Sequence, residues 1–455
     1  MFKFKKGDRI PIRDGGDAIV IGEKPLGSGG QGEVYRVEYL GDEYALKWYT
    51  SPSIRENRTE FSGNIQENIV RGPPKDGFLW PKHLTEEMDG GFGYLMDLIP
   101  SNYSSFSDIL RTYRVRTVSD GTAVRDRVGF TRLDVMVLSA LRMVSSFRAL
   151  QLSGVSYQDL NDGGFYIDTD TGDVLICDCD NVAPQGSNFG IRGKPGYMAP
   201  EVVTGHSKPC RDTDKHSLAV VLFKLLMRGD PLEGSAVCSC VVLTGSNELK
   251  HYGTDPVFVF DPTNTSNRPV KGVHSNVIKN WGLYPGYVRE VFTRAFTDGL
   301  HDPSSRPIPN TWFKMLSRLR CDVVACGCGR QSFMSVMDTG SGNYRCPGCG
   351  REHMVMVIGG CPMVLAEGKE IHHCDVFPHS EDFETVVGRV VENKKVSGLL
   401  GIKNTSDRPW TAVLSDGTTK TVPIGGGVPI ADGITIRFGT TENNFNSIPE
   451  GIIRR

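Results

Sequence analysis

The first 176 residues contain no cysteine, and no apolar run in the chain is long enough to cross a bilayer. There is little net charge, −2 over 455 residues, and neither an internal repeat nor a long low-complexity tract. The opening "MFKFKKGDRI" carries basic residues with no apolar core behind them. Each absence excludes something. Without a spanning run or a secretory pattern, a cytoplasmic location is expected, with no membrane partner. Balanced charge offers no whole-chain field for nucleic acid. Late cysteines argue against the disulfide framework of a small secreted protein. Seven of the twelve fall between Cys321 and Cys374, and such clustering reads as a local metal site.

What is present is ordinary globular material, 39% hydrophobic and 23% charged, in a chain long enough for two or three domains. The first hundred residues read as strands: "DAIVIGEKPLG", "GEVYRVEYL" and "DEYALKWYT" are β-branched and aromatic runs punctuated by glycine. A helical stretch near Arg58 to Val70 interrupts them. From about Ser105 the pattern turns helical, as in "RLDVMVLSALRMVSSFRALQL" and "KHSLAVVLFKLLMRG". After Cys321 the helices stop, and from about Met354 onward short strands alternate with turn residues. The expected class is α+β: a two-lobed domain over residues 10–320, a zinc ribbon over 321–357 and an all-β sandwich over 360–455.

"LGSGGQGEV" places Gly27, Gly29 and Gly32 ahead of Val34. Glycines there let the backbone approach a phosphate and offer amide donors. The strand "YALKWY" carries Lys47 in an apolar setting, where an unpaired ammonium is costly. Further on stand "SYQDLNDGG", "VLICDCDNVAP", "GYMAPE", "TDKHSLAVVLF" and "DPSSRPIPNTW".

In this order the motifs resemble a protein kinase from about Asp17 to Leu319. The resemblance implies ATP and magnesium as cofactors and a protein hydroxyl as substrate. It implies that Lys47 holds the nucleotide phosphates and pairs with a helix glutamate, Glu67, with Glu60 as runner-up. Met96 would lie behind the adenine and Asp97 and Leu98 along it. Asp159 would take the substrate proton, and Asp178 would bind magnesium. Asp180 stands at the glycine position of the second aspartate motif. Asp214 would anchor the loop around Asp159, and Arg306 would pair with Glu201.

"RGPPKDGFLWP", "GDVLICDCDNV" and "FVFDPTNTSNRPV" narrow the resemblance to bacterial eukaryotic-like serine/threonine kinases. That family implies a phosphatase and a von Willebrand-type domain protein as partners.

The loop departs from the family pattern. Gln158 replaces the arginine that grips an activation-loop phosphate, and Lys194 stands where a threonine is usual. Ser187 is the one serine or threonine between Asp178 and Glu201. Gly164 replaces the asparagine that ligates a second magnesium; water, Asn161 or Asp162 could fill its place. Two functions stay open, a serine/threonine kinase and a nucleotide-binding pseudokinase acting as a scaffold.

"CDVVACGCGRQSFM" and "NYRCPGCGREH" offer Cys326, Cys328, Cys346 and Cys349 as a tetrahedral zinc set, with Cys321 an alternative to Cys326 and His353 a weaker candidate. The final segment resembles a forkhead-associated sandwich through Gly388-Arg389 and "VPIADGITIRFG". That likeness implies phosphothreonine capture by Arg389, Ser397 and a nearby asparagine, for which Asn404 is a loose match. Leu400 stands where the supporting histidine belongs, so the module reads as degenerate and better suited to a structural or protein-docking role.

Overall fold

A computed structural model describes residues 3–117, 122–191, 193–240, 242–337, 344–439 and 449–454. The class is α+β. Among the described residues no helix is long and apolar enough to cross a membrane. The chain forms two compact units. The first comprises residues 1–131, 139–280 and 290–312; the second comprises 132–138, 281–289 and 313–455. The cysteine-rich segment and the β module, expected as separate modules, therefore lie in the same unit.

The first unit opens with an antiparallel sheet of β1 (Arg9–Pro11), β2 (Asp17–Val20), β3 (Gly27–Ser28), β4 (Gly32–Tyr39), β5 (Asp42–Tyr49), β6 (His83–Leu84) and β7 (Gly93–Met96). The order is β1-β2-β4-β5-β7-β6, with β3 paired to β4. Alternation along β5 sorts its residues between two cores. Leu46 and Trp48 join Ile10, Val37 and Leu95 on one face, while Ala45 and Tyr49 join Tyr94 and Met96 on the other. Lys47 thus shares the face of Tyr49. It lies opposite Val34 on β4 and Tyr94 on β7.

Between β5 and β6 run two helices, α1 (Pro52–Glu56) and α2 (Arg58–Arg71). The buried face of α2 carries Phe61, Asn64, Ile65 and Asn68, spaced three and four apart. The helix stops at Gly72, whose φ of 72° suits glycine and whose amide bonds the Asn68 carbonyl. The rest of the unit is mainly helical. Its most buried helix, Arg211–Met227, hides thirteen of its residues, among them Asp214.

In the second unit two antiparallel sheets enclose one core. One has six strands, ordered Cys361–Val364, Val355–Ile358, Glu450–Arg454, Thr435–Arg437, Trp410–Val413 and Thr419–Val422; the other has four, ordered Glu370–His372, Val386–Glu392, Leu400–Asn404 and Gly427–Pro429. Met356, Ile371, Val390, Ile402, Trp410, Ile436 and Ile453 fill the space. Residues 355–357, assigned to the ribbon from sequence, belong to the larger sheet, because they pair with the C-terminal strand.

Candidate active site and metal centre

The glycine-rich stretch folds as a hairpin. Gly27 lies opposite Val34, and the Gly29 amide bonds the Gly32 carbonyl at 2.9 Å. The three glycines are not equivalent. A Cβ on Gly27 or Gly29 would meet nothing within 4 Å, whereas one on Gly32 would sit 2.1 Å from the Trp48 carbonyl oxygen. Gly32 is thus required by the packing of β4 on β5, and Gly27 and Gly29 are left open. Val34 packs against the core that holds Met96, as does Leu98. The Asp97 side chain is exposed and held by Lys82 at 2.6 Å.

Lys47 is buried and fully engaged. Its ammonium donates to Asp178 at 2.9 Å, to both oxygens of Asp180 at 3.0 and 2.9 Å, and to Gln31 Oε1 at 3.0 Å. Burial would lower its pKa, but the attraction of Asp178 and Asp180 outweighs this and holds it above the ordinary lysine range. Glu67 has no part in this. It is exposed on α2, as is Glu60, so the expected pairing with Lys47 is corrected. The reason lies in the helix period: Phe61 and Ile65 fix the buried face, which includes Asn64 and Asn68 and excludes residues 60 and 67. Asn64 and Asn68 donate to the Val182 carbonyl at 2.9 and 2.7 Å.

Asp159 lies within electrostatic reach of Asp178, Asp180 and Lys47. Burial pushes its pKa up to about 6, with a further rise from Asp178 and Asp180, against the Asn161 hydrogen bond and the charge of Lys47. The loop carrying it is anchored from beneath: Asp214 accepts the amides of Tyr157 and Gln158 at 2.7 and 3.0 Å. Arg306 is buried and grips Glu201 through two 2.7 Å bonds.

The "NDGG" turn is committed elsewhere. Asn161 donates to Asp159 Oδ1 at 2.8 Å and accepts the Gly163 amide at 2.8 Å. Asp162 takes Ser107 at 2.7 Å and an ion pair from Lys194. Burial would raise the Asp162 pKa, but the hydrogen bonds from Lys194 and Ser107 hold it below the usual range. At Gly164 a Cβ would sit 2.8 Å from the Tyr157 hydroxyl, which donates to the Cys177 carbonyl. An asparagine therefore does not fit at 164 while Tyr157 keeps its place.

Gln158 ties down the segment after Asp178. Its amide donates to the Ser187 carbonyl at 2.6 Å and accepts Asn188 at 2.8 Å.

The four cysteines form a second cluster, within the other unit. Each pair sits in the turn of a small hairpin: Val323–Ala325 pairs with Gln331–Phe333, and Tyr344–Arg345 pairs with Glu352–His353. The turns close alike. The Cys326 amide bonds the Arg330 carbonyl and the Cys346 amide the Arg351 carbonyl, both at 2.9 Å; Gly329 and Gly350 follow with φ of 85° and 73°. The irregular "CGCG" is thus the "CPGCG" turn shortened by one residue.

All four sulfurs lie within 4.8 Å of one another, with Cys326–Cys349 and Cys328–Cys346 at 3.7 Å. A zinc–sulfur bond of about 2.3 Å puts tetrahedral thiolates about 3.8 Å apart, so these residues fit a metal such as zinc. Burial opposes ionisation of Cys346, yet the Cys349 and Gly348 amides pull its pKa down to about 7. Cys321 is apart from the set and bonds Asp375 at 3.3 Å; His353 is not in it either.

The residues expected to capture phosphothreonine are separately engaged. Arg389 forms an ion pair with Glu370, its cross-strand partner. Ser397 bonds Glu392 at 3.2 Å. Asn404 is fully buried and bonds the Arg408 carbonyl and Ser406.

Sequence reasoning missed Gln31, Tyr49, Tyr94, Asn64 and Tyr157 as parts of the cleft, and the role of Asp180. The available signals were a carboxylate in a glycine position and the strand alternation that puts Tyr49 beside Lys47.

No protein-family model matches the chain. A curated protein of Zea mays, "Probable serine/threonine-protein kinase CCRP1", is 24% identical over 218 residues, 47% of this chain and 32% of that protein. The chain spans about a third of the length of that relative, and the similarity is that of a distant kinase-like relationship.

Proposed function

We propose that this chain is an ATP- and magnesium-dependent serine/threonine protein kinase. The observation that carries the reading is the contact of Lys47 with Asp178, with Asp159 near enough to feel the charge of both. The relative named a probable serine/threonine kinase supports it.

In this reading the hydroxyl of a protein substrate attacks the γ-phosphorus of ATP. The bond to the β-phosphate oxygen breaks, ADP leaves, and the hydroxyl proton passes to Asp159. Asp178, a hard oxygen donor that is partly exposed, suits a divalent cation. That cation would neutralise charge on the transferring phosphoryl group. Lys47 would orient the phosphates by exchanging its Gln31 or Asp178 contact for a phosphate oxygen, and the open Gly27 and Gly29 leave room for backbone approach. The four cysteines would hold a structural zinc, with no open coordination position.

Labelled phosphate from ATP is expected in substrate or in the chain itself, and Asp159→Asn should cut incorporation on the order of a hundredfold or more. Equal background in both proteins would favour the scaffold reading instead. That second reading has its own observation, the closure of position 164 by Tyr157.

A further inference from the structure

We propose that Asp180 is the residue that positions Lys47, taking the part that a helix carboxylate would otherwise play. The inference rests on the kinase reading for its function and on geometry for its assignment.

Asp180 is fully buried, and each of its oxygens has two partners. Oδ1 takes Lys47 at 3.0 Å and Tyr94 at 3.1 Å; Oδ2 takes Lys47 at 2.9 Å and Tyr49 at 2.5 Å. A carboxylate has about four lone-pair sites, and all four are used. A buried charge is tolerated when it is paired and its remaining sites are filled. The two tyrosines come from β5 and β7, so the rigid sheet itself aims the carboxylate at the ammonium.

Helix α2 offers no carboxylate here. Its cleft-facing residue is Asn64, which donates to the Asp180 and Val182 carbonyls at 3.4 and 2.9 Å. Gln31, at the tip of the glycine hairpin, completes the frame: it accepts from Lys47 and donates to Asn181 Oδ1 at 3.1 Å. The lysine is thus oriented by the sheet, the hairpin tip and the Asp178–Asn181 turn. Its alignment does not depend on a charge carried by α2.

Full-length variants test this. Asp180→Asn should raise the KM for magnesium–ATP about tenfold or more and also lower kcat. Asp180→Glu, which keeps the charge, should recover part of the loss. Glu67→Gln and Glu60→Gln should stay within about twofold of the parent, as exposed changes do. If Asp180→Asn does not fold, Tyr94→Phe keeps the carboxylate and removes one donor. It should then raise the KM for ATP a few-fold, the scale of one net hydrogen bond of about 1 kcal/mol. A folded Asp180→Asn with parental KM, or a tenfold rise in Glu67→Gln, would overturn the assignment.

A parent protein that neither binds nucleotide nor incorporates phosphate would defeat the kinase reading instead. The assignment is then read from melting temperatures of Lys47→Met, Asp180→Asn and the double variant. The double should lose less than the sum of the singles; additive losses would overturn the pairing.

Discussion

The cleft around Lys47 and the strand face around Arg389 were both expected from motif likeness, and they turned out differently. Around Lys47, residues 31, 178 and 180 converge on one buried ammonium, and residues 49 and 94 on its partner Asp180. Around Arg389, the named residues engage separate groups: Glu370 for Arg389, Glu392 for Ser397, and for Asn404 the Arg408, Val422 and Pro423 carbonyls. The first is a set of groups that needs its members together. The second is a set of separate contacts that share no common group. Convergence of distant residues on one buried charge marks a site better than motif likeness does, because burial of charge is costly unless many partners meet there.

This contrast sets the order of expected effects. Asp159→Asn, by removing the proposed base, gives the largest loss of phosphate transfer, on the order of a hundredfold or more. Next comes the cysteine cluster, which is also convergent. Cys346→Ser should leave far less metal than the about one zinc per chain expected of the parent after dialysis, and should lower the melting temperature of the second unit. Parental metal content in that variant would remove Cys346 from the ligand set.

The pH profile of the cleft follows from burial. A base works deprotonated, and the Asp159 pKa is raised to about 6 in the free protein. kcat/KM should therefore be flat above that value and fall about tenfold per pH unit below it. A profile that stays flat down to pH of about 5 would show that Asp159 is not the group that titrates.

Gly164→Asn sharpens the comparison from inside the cleft. The Tyr157 hydroxyl stands in the way, so overpacking should destabilise the first unit by about 1–3 kcal/mol in a denaturant titration. It should not increase phosphate transfer. A stable and faster Gly164→Asn would show that the position is open after all. The smallest effect is expected at Arg389. Its ion pair with Glu370 is half exposed, so Arg389→Ala should change stability by no more than about 1 kcal/mol. Phosphothreonine peptide binding that is lost in this variant would erase the contrast between the two regions.

Much of the cleft was legible in the sequence. The glycine hairpin, the buried Lys47 and, in the other unit, the four cysteines could be named from spacing and residue type; Asp159 and Asp178 came from the resemblance to a protein kinase. What failed was the partner of Lys47. The kinase resemblance points to Glu67, whereas the helix period, read from Phe61 and Ile65, turns residue 67 outward. The "NDGG" turn was read as a possible source of a metal ligand, and its side chains are held by Asp159, Ser107 and Lys194 instead. No one-dimensional signal reveals those contacts, since Ser107 and Asp162 are 55 residues apart.

By itself, then, the sequence determined local quantities: strand alternation, helix faces, turn glycines and the residue types able to bind phosphate or metal. These depend on neighbours within a few positions, which is why they can be read directly. The tertiary structure decided which charges are paired. Only the fold brings Asp180 to Lys47 across 133 residues, and Cys349 to Cys326 across 23. Pairing over such separations is fixed by packing of the whole unit, and the energy of a buried charge depends on it.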